Sequence, residues 1–330
     1  MKPTPKIALI GGGTGSYTLL QALKNYTPNI SAIVNMADDG GSTGVLRDEL
    51  GVLPPGDVRQ CLVALSNASQ ELRDLFTFRF PTGSFEGHSF GNIFLSAVET
   101  MTSRFDDAVR MAGEVLNIQG RVLPITLDDC KLSLRLDGED IHGQRAVELT
   151  AIPARSNPDL YLDTPATITA DARQAILDAD IVVIAPGNLY ASLVPALIVD
   201  GVAEVLQQTA APIVFVCNLV NKPNHTAGFA VHDYASEIER LTAAGIIDTV
   251  LYNTNLPTGP LLEKYALEHE YPVAIDEQAL QQASYHAVGG DFLSTAPIAR
   301  DPNDSFINRS LIRHDAEKVA QAILKTIPKN

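Results

Sequence analysis

KIALIGGGTGSYTLLQALKNY, residues 6–26, decides how the chain is read. Lys6 to Ile10 is a short apolar run, the glycines allow a sharp turn, and Leu19, Leu20 and Leu23 then recur at helical spacing. The reading is strand, glycine turn, helix. ISAIVNM, residues 30–36, is β-branched and predicts a second strand lying parallel to the first. The same rhythm returns later: ARQAILDAD reads as helix, IVVIA (181–185) as a buried strand, and PGNLYASLVP as a loop entering a helix. PIVFVCN (212–218), DTVLYN and PVAI read as further strands, and HDAEKVAQAILKTI as a closing amphipathic helix. Between the two halves, RVLPIT and KLSLRLDGEDIHG change to alternation with a DGED turn, which predicts a small antiparallel hairpin over about 121–145, either an insertion or a sheet edge. The fold class is α/β, a Rossmann-like doubly wound and mostly parallel sheet, and we expect residues 1–330 to form one domain.

Composition narrows the function. At 330 residues the chain has ample material for a core, and no apolar run approaches the roughly 20 residues that cross a bilayer. A net charge of −15 argues against a general nucleic-acid binder, which needs clustered Lys and Arg. The start, MKPTPKIALIGGGTG, lacks a signal-peptide cleavage pattern, and Cys61, Cys130 and Cys217 sit far apart among apolar neighbours. Both features suit a cytoplasmic protein with buried thiols. No H-E-x-x-H, G-x-S-x-G or C-x-x-C occurs, so zinc peptidase, serine hydrolase and thiol redox chemistry lack support.

In open parallel sheets, ligands bind beyond the carboxyl ends of the strands, and the polar loops of this chain fall there. Gly11, Gly12, Gly13, Thr14 and Gly15 can bring backbone N–H groups to a phosphate at a helix N-terminus. After the second strand come Asp38 and Asp39, then Gly40, Gly41, Ser42 and Thr43, with Arg47 one turn on. The glycines and hydroxyls suit a second phosphate, whereas the carboxylates would repel it. Asp38 and Asp39 are then either turn and cap residues, acceptors for sugar hydroxyls, or ligands of Mg²⁺. In PPGD, Asp57 can cap the helix that follows it, and Arg59 either forks onto an anion or pairs with Asp57 or Asp48. His88 and Asn92 in GHSFGN, Asn188 in PGNLYAS and Asn218 in VCN end the set as polar recognition residues or loop caps.

Together GGGTG, MADDGGSTGVLRDELG, PPGDVRQCLVALS, GHSFGN, PGNLY, VCN and IRHD (312–315) resemble the YvcK/CofD-like family, and more closely its YvcK branch, the gluconeogenesis factors. The resemblance implies a bacterial, cytoplasmic binder of UDP-sugars, UDP-N-acetylglucosamine above all, that links carbon metabolism to cell-wall synthesis and cell shape. It also implies that Tyr265 stacks on uracil and Arg313 clamps phosphate. Regulatory protein partners and a homo-oligomer are compatible with it. The related CofD branch transfers a phospholactyl group to a deazaflavin with Mg²⁺, which is the alternative function. A nicotinamide-dependent dehydrogenase explains the first loop but not the second. The chain departs from the family pattern at Gln144, Arg145, Asn188, Ala191, Lys222, Asn224 and His225.

Overall fold

The computed structural model describes residues 4–256, 259–295 and 312–328. Strands β1 (Ile7–Gly11), β2 (Ile30–Val34) and β3 (Arg121–Pro124) form one half of the main sheet. β4 (Leu132–Leu136), β5 (Glu139–His142) and β6 (Asp159–Leu162) form a separate antiparallel sheet in the order β5-β4-β6. β7 (Ile181–Ile184), β8 (Ile213–Val216), β9 (Thr249–Asn253) and β10 (His286–Gly290) complete the main sheet. Its order is β10-β9-β8-β7-β1-β2-β3, and every pairing is parallel. The chain winds outward from β1 to β3, returns beside β1 as β7, and winds outward the other way. The topological switch point therefore lies between β1 and β7.

Helices α1 (Gly13–Leu23), α2 (Gly41–Leu50), α3 (Gly56–Leu65), α4 (Gln70–Thr77), α5 (Phe90–Thr102) and α6 (Phe105–Val115) belong to the first half. Then come α7 (Gln144–Leu149), α8 (Ala170–Leu177), a π-helical turn at Leu189–Leu193 that runs into α9 (Val194–Leu197), and α10 (Val202–Gln208). α11 (Val231–Leu241), α12 (Pro260–Leu267), α13 (Glu277–Gln282) and α14 (Ala316–Thr326) follow. β1, β2, β7 and β8 are buried along their whole length, which is why they read as unbroken apolar runs without alternation.

Three local readings change. RVLP is not part of the hairpin; it pairs in parallel with β2 as the outer strand of the main sheet, and the hairpin proper is β4–β5. PVAI forms only isolated bridges, Pro272 to Val220 and Ala274 to Ala230, because it is held by the loops after β8. The strand beyond β9 is instead HAVGG, whose two glycines and half-exposed position at the sheet edge hide its β character. Among the described residues no helix is long and apolar enough to cross a membrane.

Candidate functional site

The first loop leaves β1 at the switch point. Gly12 is the N-cap of α1 and Gly13 follows at φ +63°, with Thr14 exposed. Asp57, in the first turn of α3, does not cap its own helix. It reaches across to accept the Gly13 N–H, and a side chain on Gly12 would collide with its carboxylate. Gly15 is required for a different reason: a Cβ there would lie 1.9 Å from the carbonyl oxygen of Pro186, in the loop after β7. α1 thus sits directly on the neighbouring strand end. Beneath it, the Ser16 hydroxyl is fully buried and makes no hydrogen bond.

The second loop answers the question raised by the paired carboxylates. Asp38 accepts the Gly40 N–H at 3.0 Å and the Thr43 hydroxyl, at the N-terminus of α2. Asp39 accepts the Arg145 N–H at 2.8 Å and so caps α7, which lies 106 residues away in sequence. Asp38, Asp39 and Asp57 each face the amide-rich start of a helix, where negative charge is stabilised. Burial pushes the Asp38 carboxyl up from its ordinary range. Burial and the charge of Asp38 together push Asp57 up to about 7, against the pull of the Gly13 N–H and Arg59. Gly56 leaves the room in which Asp38 and Thr43 meet α3.

Next to these loops, four residues from four segments form one chain of contacts. The Arg59 Nε donates to Asn92 Oδ1 at 2.9 Å, Asn92 Nδ2 donates to Ser42 Oγ at 3.2 Å, and Ser42 Oγ lies 3.0 Å from His88 Nδ1. Arg59 and Asn92 are buried, while Ser42 and His88 are partly exposed. Asn92, read from sequence as a residue that touches ligand, is 2% exposed and acts through Ser42 and Arg59. Arg47 is turned away, bonded to Asp129 and to the Cys130 carbonyl. The N-termini of α1, α2, α3 and α5 therefore gather around the ends of β1 and β2, with Gly13, Gly41 and Ser42 at the accessible side.

The loops after β7 and β8 form the other wall. Asn218 commits both ends of its amide to Gly187, donating to its carbonyl at 2.7 Å and accepting its N–H at 3.4 Å. Asn188 accepts the Ala191 N–H and lies 3.0 Å from His225 Nδ1, so two departures from the family pattern touch each other. His225 Nε2 donates to the Val147 carbonyl in α7, and burial holds the imidazole below its ordinary pKa. α7 thereby braces the second loop, through Asp39, against the PGN loop, through His225. His225 carried no signal in the sequence beyond its departure from the pattern. His314 donates to the Cys217 carbonyl at the end of β8, and burial pushes its pKa down to about 4. Neighbouring Arg313 is close enough to α1 to act on Tyr17, whose hydroxyl pKa is raised by burial against the opposing charges of Arg73, Arg59 and Arg313. Tyr265 is 6% exposed, packed with Leu219, Leu293 and Ile312, and its hydroxyl accepts the Ile312 N–H.

Cys61 and Cys217 are buried and their thiols are pushed up by desolvation, and Cys130 rises to about 11 for the same reason. Among the described residues no three His, Cys, Asp or Glu side chains form a metal-binding group.

This arrangement has counterparts among known proteins. The family model of 2-phospho-L-lactate transferase CofD matches residues 7–293. The chain belongs to the CofD family. Within the family, a Nostoc sp. protein is 40% identical over 97% of this chain, which spans 68% of that protein. The gluconeogenesis factor of Bacillus subtilis is 35% identical, with 98% of each chain covered. A crystal structure of a UPF0052-family protein from Bacillus halodurans superposes with a TM-score of 0.86 at 33% identity, covering 97% of this chain and 99% of that one.

Proposed function

We propose that the cleft binds a nucleotide sugar of the UDP-N-acetylglucosamine type, and that the protein acts as a cytoplasmic regulator without turnover. The observation that carries the reading is the convergence of four helix N-termini on the ends of β1 and β2, tied together by the Arg59–Asn92–Ser42–His88 chain. In a chain of net charge −15, local amide donors and helix dipoles can hold a diphosphate that the overall charge would repel. Asp38 and Asp57, buried carboxylates from two loops with the charge of one acting on the other, would hold Mg²⁺. A hard cation takes carboxylate oxygens, and its charge would offset the burial that raises both carboxyls and the charge of Asp38 that further raises Asp57. Such a cation would supply positive charge against a bound phosphate. The relatives named gluconeogenesis factors support a role in carbon metabolism, and an onward link to cell-wall synthesis and cell shape through a protein partner is part of this proposal.

The test is calorimetric titration with UDP-N-acetylglucosamine, with and without Mg²⁺, followed by chromatography of the incubated ligand. Saturable binding with intact ligand supports the reading; steady release of UDP refutes it. The second reading, a Mg²⁺-dependent transferase, is favoured by the family description and by the Asp38–Asp57 pair. Absence of binding by guanine nucleotide and deazaflavin in Mg²⁺ would remove it.

A further inference from the structure

β3 is the outer strand of the main sheet, and its free side is closed at one end only. In a parallel ladder, successive residues turn their main-chain groups to opposite sides. The Ile125 N–H, just past β3, donates to the Val34 carbonyl at 2.9 Å, so Arg121 and Leu123 also turn to β2 while Val122 and Pro124 turn outward. Pro124 has no N–H to offer, and the Thr169 hydroxyl donates to its carbonyl at 2.9 Å. The Thr169 N–H donates to the Ile125 carbonyl at 2.9 Å, so the lead into α8 covers this end of the edge. Val122 has no such cover among the described residues. It lines a groove of about 690 Å³ between α6 and the start of α8, where Val109, Ile118 and Leu123 supply further apolar surface. The groove is acidic: Asp106, Asp107, Glu114 and Asp171 line it against Arg110 and Arg121. Arg110 is already paired with Asp107 and Glu114, Arg121 bonds the Ser31 hydroxyl, and Asp171 has no ion-pair partner among the described residues.

We propose that this groove docks an extended, lysine- or arginine-bearing segment of a partner protein, which pairs with Val122 as a short added strand. Three observations select that occupant. An extended backbone offers Val122 a donor and an acceptor together, in the way that strands are added to open sheet edges. Carboxylates from both α6 and α8 attract cationic side chains and repel an acidic segment. A second copy of this chain, at a net charge of −15, would bring the same carboxylates and the same Pro124 to the contact, so like charge opposes self-association there. No residue of the proposed nucleotide cleft lines the groove, so this inference and the cleft reading fail separately.

The probe is an acetylated, amidated heptapeptide of alternating Lys and Val, labelled for fluorescence anisotropy and titrated with the whole chain; the control peptide alternates Glu and Val. We expect saturable binding of the lysine peptide alone, with slowed hydrogen exchange at residues 120–123. Glu114→Lys and Asp171→Lys each turn an attraction into a repulsion and should weaken it by roughly 2- to 30-fold, an effect that shrinks with added salt. N-methylation of every peptide amide removes its donors and should cost at least about twofold. Glu114 and Asp171 are exposed and outside the cleft, so both variants should keep the native circular dichroism. Absence of saturable binding overturns the proposal, as do equal binding of the glutamate peptide, unchanged affinity in both variants, and unchanged affinity of the N-methylated peptide. Protection from exchange elsewhere, with residues 120–123 unaffected, assigns the peptide to another face and overturns it too. A dimer in sedimentation that protects residues 120–123 without peptide would make a second copy the occupant, which also overturns it.

Discussion

Replacing Gly15 by alanine tests whether the two halves of the cleft are held in register by close helix–strand approach. The added Cβ would lie 1.9 Å from the Pro186 carbonyl oxygen, about 1.5 Å short of the 3.4 Å at which ordinary contact begins. The Cβ position is fixed by the Gly15 backbone and the oxygen belongs to main chain, so no side-chain rotation can relieve the clash. α1 or the PGN loop must move by most of that distance. Overpacking of this kind costs about 1–3 kcal/mol, and the helix-propensity gain of alanine returns about 1 kcal/mol. We expect a net loss of up to about 2 kcal/mol and a fall of up to several degrees in melting temperature at the rate of about 2–4 °C per kcal/mol. Ligand binding should suffer more, because a shift of about 1 Å takes the α1 amides out of hydrogen-bond reach, and a bond to a charged group is worth about 1.5–3 kcal/mol. Calorimetric titration should show UDP-sugar affinity down by at least about tenfold. Gly187→Ala is the control for stability, since its Cβ would have nothing nearer than Ser192 Cβ at 3.9 Å. Melting and binding of Gly15→Ala that match wild type would refute the reasoning, and so would an equal melting loss in Gly187→Ala.

Asp57→Asn should remove a pH dependence. With a native pKa of about 7 against an ordinary value of 3.8, the folded state keeps the proton as pH rises from about 4 to 7, so this carboxyl's contribution to stability declines across that window. In metal-free buffer, ionised Asp57 also repels phosphate. Pyrophosphate affinity should fall by up to about tenfold per pH unit above about 7 in wild type and stay flat in the variant; parallel titration profiles would disprove this. Asn92→Ala deprives the buried Arg59 Nε of its acceptor, which should cost about 1–3 kcal/mol in a denaturant melt and also weaken ligand binding. Stability unchanged within error would show that this contact is dispensable. Asp39→Ala removes the remote cap of α7, worth about 1 kcal/mol, and hydrogen exchange should quicken at residues 144–149. Unaltered exchange there would contradict the bracing role assigned to α7.

The short-range part of the design was open to reading. Apolar runs, glycines and leucine spacing are local properties, and the strand–turn–helix of residues 6–26 follows from them with no knowledge of the rest of the chain. β10 escaped because two of its five residues are glycine, and RVLP was assigned to the wrong sheet because pairing partners are not written in a strand's own residues. The candidate site divides the same way. Its loops were found by their residue types, whereas the partners of Asp57, Asp39, Asn92 and Arg47 were not.

The amino-acid sequence by itself determined that parallel strands end in glycine- and asparagine-bearing loops, the residue types from which we infer a phosphate-type ligand. Only the tertiary structure decided what the carboxylates serve: Asp57 turns to α1, Asp38 to its own helix, and Asp39 to α7 across 106 residues. The physical reason is range. Backbone preference and hydrophobic period act over a few residues, but a carboxylate is stabilised by whichever unsatisfied amides packing brings within about 3 Å, and those come from segments with no local relation to it.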